Sequence, residues 1–114
     1  MQHNPKCGRL ITLSQTNTIA DGLRASLGNL TWPVIRDLVE AVITVEDEEI
    51  VEATRYCYQI LKVVIEPSAA IGLAAVLSGN FKKNPMSSCS QNVGIVLSGG
   101  NADLDVLFES QKNL

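Results

Sequence analysis

The stretch Val93-Gly-Ile-Val-Leu-Ser-Gly-Gly-Asn101 decides how the rest of the chain is read. Its opening residues are short, apolar and partly β-branched, so a strand is expected over Asn92 to Leu97. A strand apolar on both faces belongs in a parallel sheet covered by helices on each side. Such a strand delivers its last side chains to a ligand at its carboxyl end. Ser98 stands at that point. Gly99 and Gly100 are expected to let the backbone turn sharply and approach a ligand closely. An ordinary strand-to-loop exit has the same letters, so the weight falls on the segments upstream.

Upstream, Ile65-Glu-Pro-Ser-Ala-Ala-Ile-Gly-Leu-Ala-Ala-Val-Leu77 reads as a helix started by Pro67. It is small and apolar all round, with Gly72 in its middle, which suits close approach by neighbouring backbone. Ser78-Gly-Asn80 can end it, and Phe81 to Gln91 reads as polar loop. Before it, Glu46-Asp-Glu-Glu49 places four carboxylates where a helix N-terminus carries partial positive charge. Ile50, Ala53, Cys57, Ile60 or Leu61, and Val64 then recur at helical spacing as a buried stripe. The acidic run is read as structural, because a metal needs converging ligands rather than a row along one turn.

Farther out, Ala41-Val-Ile-Thr-Val45 reads as a strand. Trp32-Pro33 opens a short helix to about Glu40, with Thr31 as its N-cap. Thr18 to Leu30 reads as loop with one helical turn, and Arg9 to Leu13 as a short strand or turn. The order helix, strand, helix, helix, strand indicates an α/β class. Two or three strands cannot cover one another, so the chain is expected to be part of a larger layered domain, with residues 1–114 forming one piece and no second domain.

Composition narrows the function classes. The chain has 114 residues and a net charge of −3, without a Lys/Arg cluster, which argues against nucleic-acid binding. Its longest mainly apolar run, Ala69 to Leu77, is too short to span a bilayer. The first residues are polar and lead into no apolar stretch, so a cytoplasmic location is expected, and Asn29-Leu-Thr31 is read as a chance match to a glycosylation site. Cys7, Cys57 and Cys89 are widely spaced and odd in number, which suits reduced thiols. His3 is the only histidine, and no metal-ligand spacing is present.

Thr18-Ile-Ala-Asp-Gly-Leu23, Leu30-Thr-Trp-Pro-Val-Ile-Arg-Asp-Leu38, Ile65 to Leu77 and Ile95 to Asn101 occur in one order. Together they resemble the C-terminal part of the catalytic domain of the serine racemases, most of all their plant members. These are kin to the serine/threonine dehydratases, which are fold-type II pyridoxal-phosphate enzymes. The resemblance runs from about Lys6 to Leu104. It implies a partial three-layer parallel-sheet domain, like the C-terminal portion of the tryptophan synthase beta-like fold. The implied activity converts L-serine to D-serine and dehydrates L-serine or L-threonine to keto acid and ammonia.

The same resemblance assigns roles to residues. Ser98 would partner the pyridine nitrogen of pyridoxal phosphate, beside Gly99 and Gly100. Gly22 would offer its carbonyl near the cofactor, or serve as a plain turn glycine after Asp21. Glu66 would lie near the ring, or be a carboxylate exposed at a helix kink. Lys62 and Asn101 match positions that contact an activating ATP at a subunit interface in animal members. Lys62 would equally stabilise the end of its helix. A divalent cation such as Mg2+ and a homodimer are implied for the full enzyme.

The family's Schiff-base lysine, its opposing serine, its glycine-rich phosphate loop and its metal carboxylates have no counterpart here. Lys6, Lys62, Lys82, Lys83 and Lys112 stand outside the family's lysine motif. The chain alone is therefore expected to be catalytically silent. The alternative expectation is a non-catalytic interaction module derived from the enzyme, which assembles with a full-length subunit.

Overall fold

Small side chains set the spacing of the core. In the computed structural model, which describes residues 10, 12–103 and 105, helix α3 (Pro67–Leu77) packs along helix α2 (Asp47–Tyr56). Ala69, Ala70 and Ala74 of α3 are buried with Ile50 and Ala53 of α2 and with Cys57 just after it, and Ala20 and Ile65 complete the cluster. Methyl groups leave little between two helix backbones, so α2 and α3 can approach closely. Gly72 extends that closeness toward residue 95, because a methyl at Gly72 would lie 3.1 Å from Ile95 Cγ2.

Three further α-helices lie among the described residues. Helix α1 spans Trp32–Leu38 with proline in its first turn, as expected. Thr31 stands at its N-cap position, as expected, but its side chain makes no capping bond. Its hydroxyl instead closes a turn with both backbone groups of Gly28, at 3.0 and 3.1 Å. Residues 79–88, read from sequence as polar loop, form two short helices, α4 (Gly79–Lys83) and α5 (Pro85–Ser88). Turns this short are too brief to show a periodic apolar stripe. Asp21–Leu23 makes the single helical turn expected before α1. No helix among the described residues is long and apolar enough to cross a membrane.

The strand readings do not appear as strands. Among the described residues the regular structure is wholly helical, and residues 41–45 and 92–97 carry no ladder. Strand hydrogen bonds need a neighbouring strand to receive them. One rung is present elsewhere: the Glu66 N–H donates to the Gly99 carbonyl at 3.1 Å. The reading at 9–13 lies partly outside the described residues. His3, Lys6, Cys7 and Lys112 lie wholly outside them. Cys57 is a buried free thiol and Cys89 an exposed one.

The apolar stripe of α2 stops earlier than its spacing suggests. After Tyr56 the helix widens into a π-turn over Cys57–Leu61 and ends at Lys62 in the left-handed region, φ 59° and ψ 33°. The Val63 amide donates back to the Cys57 carbonyl at 3.1 Å. A π-turn inserts one extra residue, which rotates the downstream side chains away from the covered face. Ile60, Leu61 and Val64 are consequently exposed rather than buried. The Tyr58 hydroxyl then ties the turn down by donating to the Ile65 carbonyl at 2.6 Å.

This turn makes two measurable differences to stability. Lys62 is the single non-glycine residue with positive φ among those described. Lys62→Gly should raise stability by roughly 1 kcal/mol and Lys62→Val should lower it, as read by urea unfolding. Burial raises the pKa of Cys57, and burial chiefly raises that of Tyr58 against the lowering effect of its hydrogen bond. Both groups are therefore held in their neutral forms. Their contribution is complete below the ordinary values of 9.0 and 10.0 and is lost as pH rises through the higher folded values. Thermal unfolding should show alkaline destabilisation that Tyr58→Phe reduces.

Candidate functional site

The N-terminus of α3 gathers the candidate residues. Pro67 occupies its first turn, where a missing N–H leaves nothing unsatisfied. Glu66 precedes it in extended conformation, φ −76° and ψ 157°, with its amide committed to Gly99. The Glu66 side chain also folds over Gly99. A methyl built on Gly99 would overlap the Glu66 carboxylate. Gly99 has no left-handed φ, so what a side chain there would meet is the Glu66 carboxylate rather than a backbone strain. Gly100 lies beside the Val64 carbonyl, 3.4 Å from where its own methyl would be. The sharp glycine turn expected from sequence is thus replaced by a close backbone approach.

Ser68 brings Gly22 to the same helix end. The Gly22 amide donates to Ser68 Oγ at 3.0 Å and to Asp21 Oδ1 at 2.8 Å. The Ser68 hydroxyl donates in turn to Asp21 Oδ1 at 3.2 Å. The carboxylates of Asp21 and Glu66 thus sit at the end of α3 where its dipole favours negative charge. Ser68 and Asp21 carry this junction, and sequence reading gave them no role. The legible signal was a hydroxyl one residue inside a proline-started helix.

The segment bearing Gly22 is tied at its other side to α2. Asp47 accepts from the Thr18 hydroxyl at 2.6 Å and from the Ile19 amide at 3.2 Å. Arg24 closes the segment on itself, with Nε and Nη2 donating to the Thr18 carbonyl at 3.1 and 2.8 Å. Glu49, read only as part of an acidic run, accepts from the Glu46 amide at 2.8 Å and helps start α2.

Not every candidate joins the cluster. Ser98 is exposed beside Gly99. Lys62 and Asn101 are exposed, and Lys62 serves the chain reversal after the π-turn. Among the described residues no three His, Cys, Asp or Glu side chains converge as metal ligands. The local donor set is a neutral hydroxyl, two side-chain-free residues and one half-buried carboxylate.

Comparison with known proteins shows the family. The model of the family described as pyridoxal-phosphate dependent enzyme matches residues 1–99. The serine racemase of Arabidopsis thaliana is 64% identical over 106 residues, 93% of this chain and 32% of its own length. The solved structure of maize serine racemase superposes with a TM-score of 0.86 at 58% identity, covering 96% of this chain and 35% of that one. The solved serine racemase of Dictyostelium discoideum superposes with a TM-score of 0.71 at 44% identity, over 78% of this chain and 28% of that one. The chain belongs to the pyridoxal-phosphate dependent enzyme family, and it spans about a third of the length of the curated relatives it matches.

The Glu66–Gly99 packing has a measurable consequence. Gly99→Ala should displace the carboxylate but cost less than about 1 kcal/mol, because only the far end of a flexible side chain must move. In Glu66→Ala the same glycine substitution should cost nothing further. A double-mutant cycle by urea unfolding reads the difference.

Proposed function

We propose that this chain is the portion of a serine racemase-like catalytic domain that receives one edge of pyridoxal phosphate. The observation that supports it most is the Glu66–Gly99 junction at the start of α3, with Ser98 exposed next to it. When bound, pyridoxal phosphate supplies an electron sink for an amino-acid α-carbanion. Ser98 would hold the ring nitrogen through a neutral hydroxyl, which leaves that nitrogen without a full ionic partner. A weaker sink of this kind suits fast reprotonation or loss of a β-hydroxyl. Gly99 and Gly100 would leave room for the ring, Glu66 would flank it, and the Gly22 carbonyl would face it.

The parent activity in this reading is racemisation of L-serine, with dehydration of L-serine or L-threonine. Segments 41–45 and 92–97 would become strands of a three-layer parallel sheet once neighbouring strands flank them. Lys62 and Asn101 would meet ATP at a homodimer interface, with Mg2+ held by carboxylates from other segments. The location would be cytoplasmic. The chain alone would not turn over serine, since it carries no lysine in the family's Schiff-base motif.

A second reading is a non-catalytic module that assembles with a full-length subunit. It is favoured by the exposed Ile60, Leu61, Val64, Val93 and Val96. Retention of the chain by a full-length serine racemase on an affinity column would support it. Strictly monomeric behaviour at high concentration, with no retention, would count against it.

Pyridoxal-phosphate titration of the purified chain, then borohydride reduction and mass spectrometry, tests the first reading. The expected result is weak, reversible binding reduced by Ser98→Ala, with no single lysine labelled. Specific labelling of one lysine, or binding indifferent to Ser98, would overturn it.

A further inference from the structure

Asp47 has no role in the cofactor edge described above, yet it holds the segment that carries Gly22. Its carboxylate accepts the Thr18 hydroxyl at 2.6 Å and the Ile19 amide at 3.2 Å. Both bonds are partly shielded from water, and bonds to an ionised acceptor are the stronger kind. The Thr18 hydroxyl also accepts from the Ala20 amide at 3.2 Å. Ala20 is 0% exposed and belongs to the α2–α3 core. One residue on, Asp21 and Gly22 are bonded to Ser68 on α3. The six residues 18–23 therefore bridge two helix N-termini, with a buried methyl between the two polar ties.

We propose that Asp47, acting through Thr18, is a positioning residue that sets where Gly22 stands against Ser68 at the start of α3. This rests on the reading that Gly22 faces the cofactor, but the placement itself concerns only this chain. The Leu23 and Arg24 amides bond to the Ala20 and Asp21 carbonyls at 2.9 and 3.0 Å, so the segment moves as a short stiff turn. A tilt at Thr18 is then transmitted to Gly22 rather than absorbed between them. Glu48 stands next to Asp47 in the first turn of α2 and forms no bond to the segment in this structure. It separates the effect of the tie from that of charge at the helix end.

Amide solvent exchange and chemical shift, measured by NMR on the full chain without cofactor, test this. Thr18→Val and Asp47→Ala should speed exchange of the Gly22 amide about tenfold and shift its resonance. Thr18→Ser and Glu48→Gln should leave it as in the parent chain. The Ser78 amide, bonded to Ala74 at 2.9 Å, reports on α3 and should keep its protection throughout. An unchanged Gly22 amide in Thr18→Val would overturn the proposal. So would equal loss of protection at Ser78, which would make Asp47 a general stabiliser. Neither outcome depends on whether the chain binds pyridoxal phosphate.

Discussion

Close approach along α3 is the constraint on which the rest of the structure depends. Ala69, Ala70 and Ala74 present methyl groups where α2 arrives, and Gly72 presents none where Ile95 arrives. A larger residue at these positions would push α2 or the 93–99 segment outward, since packed interiors do not absorb extra volume freely. With the spacing held, Glu66 can bond Gly99 and Ser68 can bond Gly22. Both junctions sit at one helix end because α3 begins between two other segments.

The same arrangement explains why the junction is polar while the core is not. Helix N-termini leave amides without intrahelical partners, and nearby carboxylates stabilise them. Asp47 at the start of α2 and Asp21 near the start of α3 also turn outward to hold residues 18–22. One segment is thereby fixed against two helices at once. The π-turn at Cys57–Leu61 has the opposite effect: it ends the regular apolar stripe of α2 and leaves Ile60, Leu61 and Val64 facing outward.

Much of this was legible in the residues. Pro33 and Pro67 marked two helix starts, and Glu46 to Glu49 marked a third. The small residues of α3 announced close packing, which Gly72 and Ile95 display. Other features were not legible. Ile60 and Val64 continue an α-helical spacing that the π-turn breaks, and nothing in their identities records the extra residue. The apolar runs at 41–45 and 92–97 have strand character, yet carry no ladder, because a ladder is made by partners rather than by one segment.

By itself the sequence determined the helix starts, the small-residue face of α3 and the family to which the chain belongs. These depend on local chemistry: a proline's missing N–H, a carboxylate near a dipole, a methyl in place of a larger group. Only the tertiary structure decided that Gly99 lies under Glu66, that Ser68 receives Gly22, and that Asp47 holds Thr18. Each of these joins residues between 29 and 46 positions apart in the chain. Separations of that size are bridged by packing, and no short motif encodes them.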